Sequence, residues 1–271
     1  MQIEILRRQH VVLGLRHVSF NGFFMPVGAA VDQVRRCCVP VHVKTTCAEW
    51  PIVNRGSAFL YAIRNRQFCV FTRHQLGQDW GPSEVYIRLT ASDRILYSGA
   101  RFVQFPGTTD TAEEHDLCAV EMPWQRQISG VAPKFFGARP ISMVPADGSE
   151  KLFALGYPYR LNQMHGEERS EAIGMTQVRV WADGVCRRKG NLPMLKLKLG
   201  GVMTTKCDGD FNGFSGGPVF GLSCRTRSLE FRGVVFRGGR DRLFFAPASW
   251  VDRLCEIGLA QPRSENAMTT I

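Results

Sequence analysis

Short apolar runs broken by Gly, Pro, Asn or Asp recur along most of this chain. Between positions 40 and 131 they fall at Val41–Lys44, Ser57–Ile63, Phe68–Thr72, Val85–Leu89, Ile95–Tyr97 and Leu117–Val120. A second set falls at Leu152–Leu155, Thr176–Trp181, Met194–Leu199, Gly217–Leu222, Leu229–Phe236 and Leu243–Ala246. Runs of this length between turn residues read as strands, and their regular spacing predicts an all-β barrel or sandwich. The segment from Ala132 to Pro140 reads as the linker between the two sets. Near the end, Ser249–Ile257 reads as a helix with Ser249 as its N-cap and Gly258 as its stop, followed by a frayed polar tail. Residues 1–39 carry mixed apolar and basic character, with a short helix or turn expected over Ala30–Cys38.

A chain of 271 residues buries an ample core, as one large domain or two small ones. Its formal charge of +10 suits an acidic partner such as nucleic acid. The basic residues, however, are spread in pairs such as Arg35-Arg36, without the interleaved aromatics of a nucleic-acid module, so they read as a solvated surface. Nine cysteines, odd in number and scattered, suit buried free thiols better than bridges and point to a reducing compartment. No His/Cys cluster has the spacing of a zinc site. The apolar run Val11–Leu15 is too short for a signal peptide, and no run approaches a membrane span. A soluble, cytoplasmic protein without membrane contact is the expectation.

Chemistry concentrates in Gly213-Phe-Ser-Gly-Gly-Pro218, a pattern expected by accident in about one in a few thousand chains of this length. A serine hydroxyl attacks a carbonyl only when a base takes its proton and preorganised donors receive the oxyanion. The amides of Gly213 and Ser215 are the candidate donors, because glycine tolerates the backbone angles that turn both inward. Pro218 favours extended backbone before it and leads into the strand. The bland reading of these residues is a glycine-rich turn between strands. They also satisfy the G-x-S-x-G elbow of α/β-hydrolases, but there the histidine follows the serine, and none of the six histidines lies after Ser215.

The order His, Asp, Ser remains. His74 ends the apolar run Phe68–Thr72 on a polar turn, and Asp116 immediately precedes the apolar Leu117–Val120. His42 reads as a strand residue, His115 points to the face opposite Asp116, and Asp208 and Asp210 read as shaping the serine loop. The Gly213–Pro218 motif, Thr72-Arg-His74 and Asp116-Leu-Cys-Ala together resemble the chymotrypsin (trypsin-like) superfamily of serine proteases, particularly its bacterial intracellular and HtrA-like members. Gly56-Ser-Ala-Phe59, Phe153–Pro158, Gly233–Gly239 and Phe244–Ala248 extend the resemblance over roughly residues 40–258.

The resemblance implies two six-stranded antiparallel β-barrels with a short C-terminal helix. It implies residues 1–39 as an N-terminal extension, 40–135 as a first barrel carrying His74 and Asp116, 136–258 as a second carrying Ser215, and 259–271 as a tail. His74 would be the general base, Asp116 its orienting carboxylate, Ser215 the nucleophile, and Gly213 and Ser215 the oxyanion donors, with no metal or organic cofactor. The implied partner is a protein or peptide substrate held by Gly209, Phe236, Arg237 and Gly238. At the position where trypsin-like enzymes carry an acid this chain has Gly209, and the arginines near the pocket, Arg237 among them, raise a preference for acidic substrates if one guanidinium reaches it. Phe214 stands where zymogens carry an aspartate, so no activation switch is expected through that residue. Two rival readings remain open: an inactive protease-like binding module, and a non-proteolytic acyl hydrolase on the same fold.

Overall fold

A computed structural model of the chain describes residues 17–20, 23–44, 52–77, 84–87, 97–107, 114, 116–122, 135–137, 150–162, 176–189, 192–197, 211–223, 226–239 and 242–262. The described residues begin with β1 (His17–Phe20), β2 (Phe23–Pro26) and helix α1 (Val27–Arg35). It continues through β3 (Cys38–Lys44), β4 (Ile52–Ile63), β5 (Arg66–Thr72), β6 (Val85–Ile87), β7 (Tyr97–Ser98), β8 (Arg101–Gln104) and β9 (Leu117–Met122). These seven form one sheet in the order β7-β6-β3-β4-β5-β9-β8. Only Gly99 and Ala100 separate β7 from β8, so the sheet curls until its two end strands meet.

The second sheet holds β11 (Glu150–Gly156), β12 (Val178–Lys189), β13 (Leu192–Leu197), β14 (Pro218–Ser223), β15 (Ser228–Gly239) and β16 (Arg242–Pro247). Its order, β14-β11-β12-β13-β16-β15, closes on itself through pairing of β14 with β15. The fold is therefore all-β with two curled, mainly antiparallel sheets and a short C-terminal helix, as the resemblance implied. The sequence pattern predicts no strand over His17–Phe20 or Phe23–Pro26. They add β1 and β2 to the outer edge of β15, where β1 runs parallel to it at Ser19 and Ser228. The helix expected over Ala30–Cys38 lies over Val27–Arg35 instead.

Period-two alternation gives each barrel strand one face inside its barrel and one outside. Val41, Leu60, Phe71, Ile87 and Cys118 fill the first interior, and Leu152, Val180, Phe214, Val219 and Phe245 the second. The outward faces meet in a third core, where Phe59, Tyr61 and Phe68 of the first sheet pack with Phe153, Phe220 and Phe231 of the second. Phe136 lies in the segment read as a linker, yet with Gly137 it forms β10, pairs in parallel with Tyr61 and meets the Phe220 ring edge-on at 5.5 Å between centroids. Burying a ring of this size contributes about 2–3 kcal/mol, enough to fix that stretch between the barrels.

Helix α2 (Ala248–Ala260) begins one residue before the expected Ser249, with Pro247 at its N-cap. The fixed φ of proline, here −60°, lets β16 turn straight into the helix without a side-chain cap. Gly258 does not stop the helix. It lies within α2, where a Cβ would come 2.8 Å from the Phe68 ring, so its missing side chain lets the helix settle on the first sheet. Beyond it the helix carbonyls are capped across the barrel: Arg66 donates to Leu259 and Gln261, and Arg101 to Gly258. Both guanidiniums are held by the buried Glu121 carboxylate at 2.5 Å. The positive charges complement the helix C-terminus as well as its orphan carbonyls.

Candidate active site

His74 and Asp116 meet because of strand register. The antiparallel pairing of β5 with β9 ends at Thr72 opposite Leu117. His74, two residues past one strand end, therefore arrives beside Asp116, one residue ahead of the other. A single 3₁₀ turn over Arg73–Gln75 carries the histidine. The carboxylate holds both parts of that residue: Oδ1 accepts the His74 backbone N–H at 2.7 Å, and Oδ2 lies 2.6 Å from Nδ1. With Nδ1 facing a carboxylate it carries the ring proton, which leaves Nε2 as an acceptor. That nitrogen lies 3.2 Å from the Ser215 Oγ. The Phe236 ring meets that of His74 in a T-shaped contact, with centroids 6.1 Å apart.

The serine loop is irregular but its carbonyls are held one after another. Asn212 O accepts from the Tyr159 N–H at 2.7 Å, Gly213 O from the Ser57 hydroxyl at 2.6 Å, and Phe214 O from the Gly217 N–H at 2.9 Å. Ser215 O accepts from the Ser57 N–H at 3.1 Å and from Gln75 Nε2 at 2.8 Å. In a trans peptide the N–H points opposite to the preceding carbonyl. The Gly213 and Ser215 N–H groups therefore point away from Tyr159 and Gly217. Gly213 has φ +96°, and a Cβ there would collide with the Tyr157 carbonyl, so both its conformation and its surroundings demand glycine. Phe214 is fully buried in the second barrel, edge-on to Phe211 at 5.5 Å, and anchors the loop from below.

Of the residues expected to touch a substrate, Phe236 has its carbonyl 3.3 Å from the Ser215 hydroxyl. Arg237 is exposed, with its guanidinium 5.8 Å from the Phe236 ring centre and 5.1 Å from that of Phe244. Gly238 follows on the same strand, where a Cβ would lie 2.8 Å from Leu243. Pairing between β14 and β15 reaches no further than Pro218 opposite Val234, so on the side of Ser215 residues 236–238 have no strand partner among the described residues. Gly209, Asp208, Asp210 and His115 lie outside the described residues. His42 is wholly buried in β3, which β4 separates from the strand β5 whose end carries the His74 turn.

Two residues that hold the site were not singled out from the sequence. Ser57 is bonded to two carbonyls of the serine loop and also accepts the Tyr157 N–H at 2.8 Å. Gln75 is buried directly behind His74. The proximity of Gln75 to a candidate base in the chain was the available signal, but nothing in its residue type marks it.

No family model matches this chain, and no curated protein does either. Among solved structures it is similar to a thermostable serine protease from an extremophilic microorganism, at TM-score 0.52 and 14% identity, over 85% of this chain and 100% of that one. It also has a looser likeness, at TM-score 0.48 and 14% identity, to Rv3671c from M. tuberculosis in the inactive form of a serine-to-alanine mutant, over 86% of this chain and 92% of that one. The chain thus has the chymotrypsin-like fold of the serine proteases.

Proposed function

We propose that the chain is a serine endopeptidase. The observation that carries this reading is the placement of His74 between the Asp116 carboxylate and the Ser215 hydroxyl, at 2.6 Å and 3.2 Å. In the proposed reaction His74 Nε2 takes the hydroxyl proton as Ser215 Oγ attacks the peptide carbonyl, and Asp116 stabilises the imidazolium that forms. The Gly213 and Ser215 amides receive the oxyanion. A backbone pinned through its carbonyls has little reorganisation left to do when that charge develops. His74 then gives its proton to the leaving amine, which leaves an acyl ester on Ser215. Water, deprotonated by His74, hydrolyses the ester and restores the hydroxyl.

Phe236, Arg237 and Gly238 are proposed to hold the substrate beside Ser215, with Arg237 favouring a carboxylate near the cleaved bond. Cys37, Cys38, Cys69, Cys118 and Cys255 are unpaired and buried, which supports a reducing, cytoplasmic setting for the protein. Burial pushes the Cys37 thiol up to about 12, so it is inert as a nucleophile at neutral pH. No helix among the described residues is long and apolar enough to cross a membrane.

The test is labelling with a serine-directed fluorophosphonate, together with a peptide-library digest of the wild type and Ser215→Ala. Labelling and cleavage that both vanish in the variant support the endopeptidase. Labelling with ester turnover but no peptide cleavage indicates an acyl hydrolase, and absence of labelling an inactive binding module.

A further inference from the structure

We infer that Gln75 is a positioning residue that sets the distance between His74 and Ser215, an inference that rests on the endopeptidase reading. The Gln75 side-chain amide works in two directions. Its Oε1 accepts the Thr72 N–H at 2.8 Å and the Thr72 hydroxyl at 2.9 Å, which holds the turn bearing His74. Its Nε2 donates to the Ser215 carbonyl at 2.8 Å and the Ser57 carbonyl at 3.1 Å, with the Arg55 carbonyl at 3.4 Å. His74 and Ser215 are thus joined twice. One link is the soft contact between Nε2 and Oγ, and the other is a strut running from the His74 backbone through the Gln75 amide to the backbone of Ser215 itself.

The chemistry of the strut accounts for the residue. One end must accept from an N–H and the other must donate to carbonyls, within a single planar group. Glutamate has no proton to donate when ionised, lysine and arginine have no acceptor, and asparagine is one methylene too short. Gln75 is only 6% exposed, so an amide left without these partners is not compensated by water. The surroundings are shaped to admit it. Gly56 sits at φ +135°, and a Cβ there would collide with the Gln75 amide nitrogen. The strut needs both barrels folded, because Gln75 and Ser57 belong to the first and Ser215 to the loop of the second.

The conservative variant Gln75→Glu separates the two directions. An introduced carboxylate still accepts from Thr72, as glutamate does in a capping box, but faces the Ser215 and Ser57 carbonyls with no proton. Misplacement of a reacting group by about 1 Å costs on the order of a hundredfold, so kcat should fall by about that factor while KM stays within about twofold. Burial and the facing carbonyls raise the pKa of the introduced carboxyl, and its protonated form can donate to Ser215 again. The wild-type to variant ratio of kcat should therefore shrink at acidic pH and widen as pH rises. Gln75→Met, of similar size but with no donor and only a weak thioether acceptor, should be slow at every pH. A ratio near one across the pH range, or a loss confined to KM, overturns the inference. So does failure of both variants to fold, which makes the strut a requirement of folding and not of turnover. Failure of the wild type to react with the fluorophosphonate overturns the endopeptidase reading instead.

Discussion

His74 and Asp116 are brought together by the pairing of two neighbouring strands, whereas Ser215 sits on an irregular loop bonded to Tyr159, Ser57, Gln75 and Val235, all from other segments. The first arrangement is local. Six consecutive register pairs between β5 and β9 precede the turn, and removing one side chain beyond the strand ends leaves that register intact. The second arrangement is distributed. Each bond of the loop contributes only about 1 kcal/mol net, and the loop keeps its shape because several hold it together. The histidine side should therefore respond to substitution mainly through its chemistry, and the serine side through its backbone as well.

The largest expected effect removes the chemistry from either side while sparing the frame. Ser215→Ala should lose turnover by about a million-fold and labelling altogether, with unfolding midpoints close to the wild type, since the hydroxyl adds little packing. His74→Ala should be comparably inactive. Residual activity in His74→Ala with His42→Ala inactive would move the base to the other histidine. Next comes Asp116→Asn, which keeps the strand register but stabilises the wrong tautomer of the ring, and should lower kcat about ten-thousand-fold. If circular dichroism shows that variant unfolded, the claim that register alone assembles the histidine side is wrong.

A backbone substitution sharpens the contrast. Gly213→Ala places a methyl against the Tyr157 carbonyl and strains a φ of +96°, so it should lower kcat by about a hundred- to a thousand-fold and also lower the melting temperature. A variant with normal kcat would show that the Gly213 amide is not an oxyanion donor. The smallest effect belongs to Arg237, which lies at the edge of the site on two aromatic rings. Cleavage profiles should show enrichment of Glu or Asp within a few residues of the cut, by about tenfold, that disappears in Arg237→Ala. Preference for Lys or Arg at those positions would end that assignment.

Much of the histidine side was legible in the chain. A strand that stops on a polar turn at His74 and a carboxylate ahead of an apolar run at Asp116 are local patterns, visible wherever alternation gives way to turn residues. The Gly213–Pro218 loop was legible for the same reason, since its glycines answer to angles that other residues avoid. The bonds that hold this loop were not. Ser57 and Gln75 are ordinary polar residues whose partners lie 140 to 156 positions away in the chain. The register of β5 on β9, which makes Asp116 the partner of His74, likewise depends on which faces become buried together.

The amino-acid sequence by itself determined the strand-rich character of the chain, the residues that bear its candidate chemistry and the glycine-governed shape of the serine loop. These follow from backbone sterics and from the period of apolar positions, which act over a few residues. Tertiary structure alone decided the rest. Phe136 became a wedge between barrels instead of a linker residue because three cores share the apolar surface, and His17–Phe20 and Phe23–Pro26 became strands because the edge of β15 was open to them. Gly258 lies inside α2 rather than beyond it because the first sheet presses Phe68 against that helix. The amide of Gln75 found its carbonyls only once both barrels had closed around it, since burial of distant faces against one another is a property of the whole chain and is not written in any stretch of it.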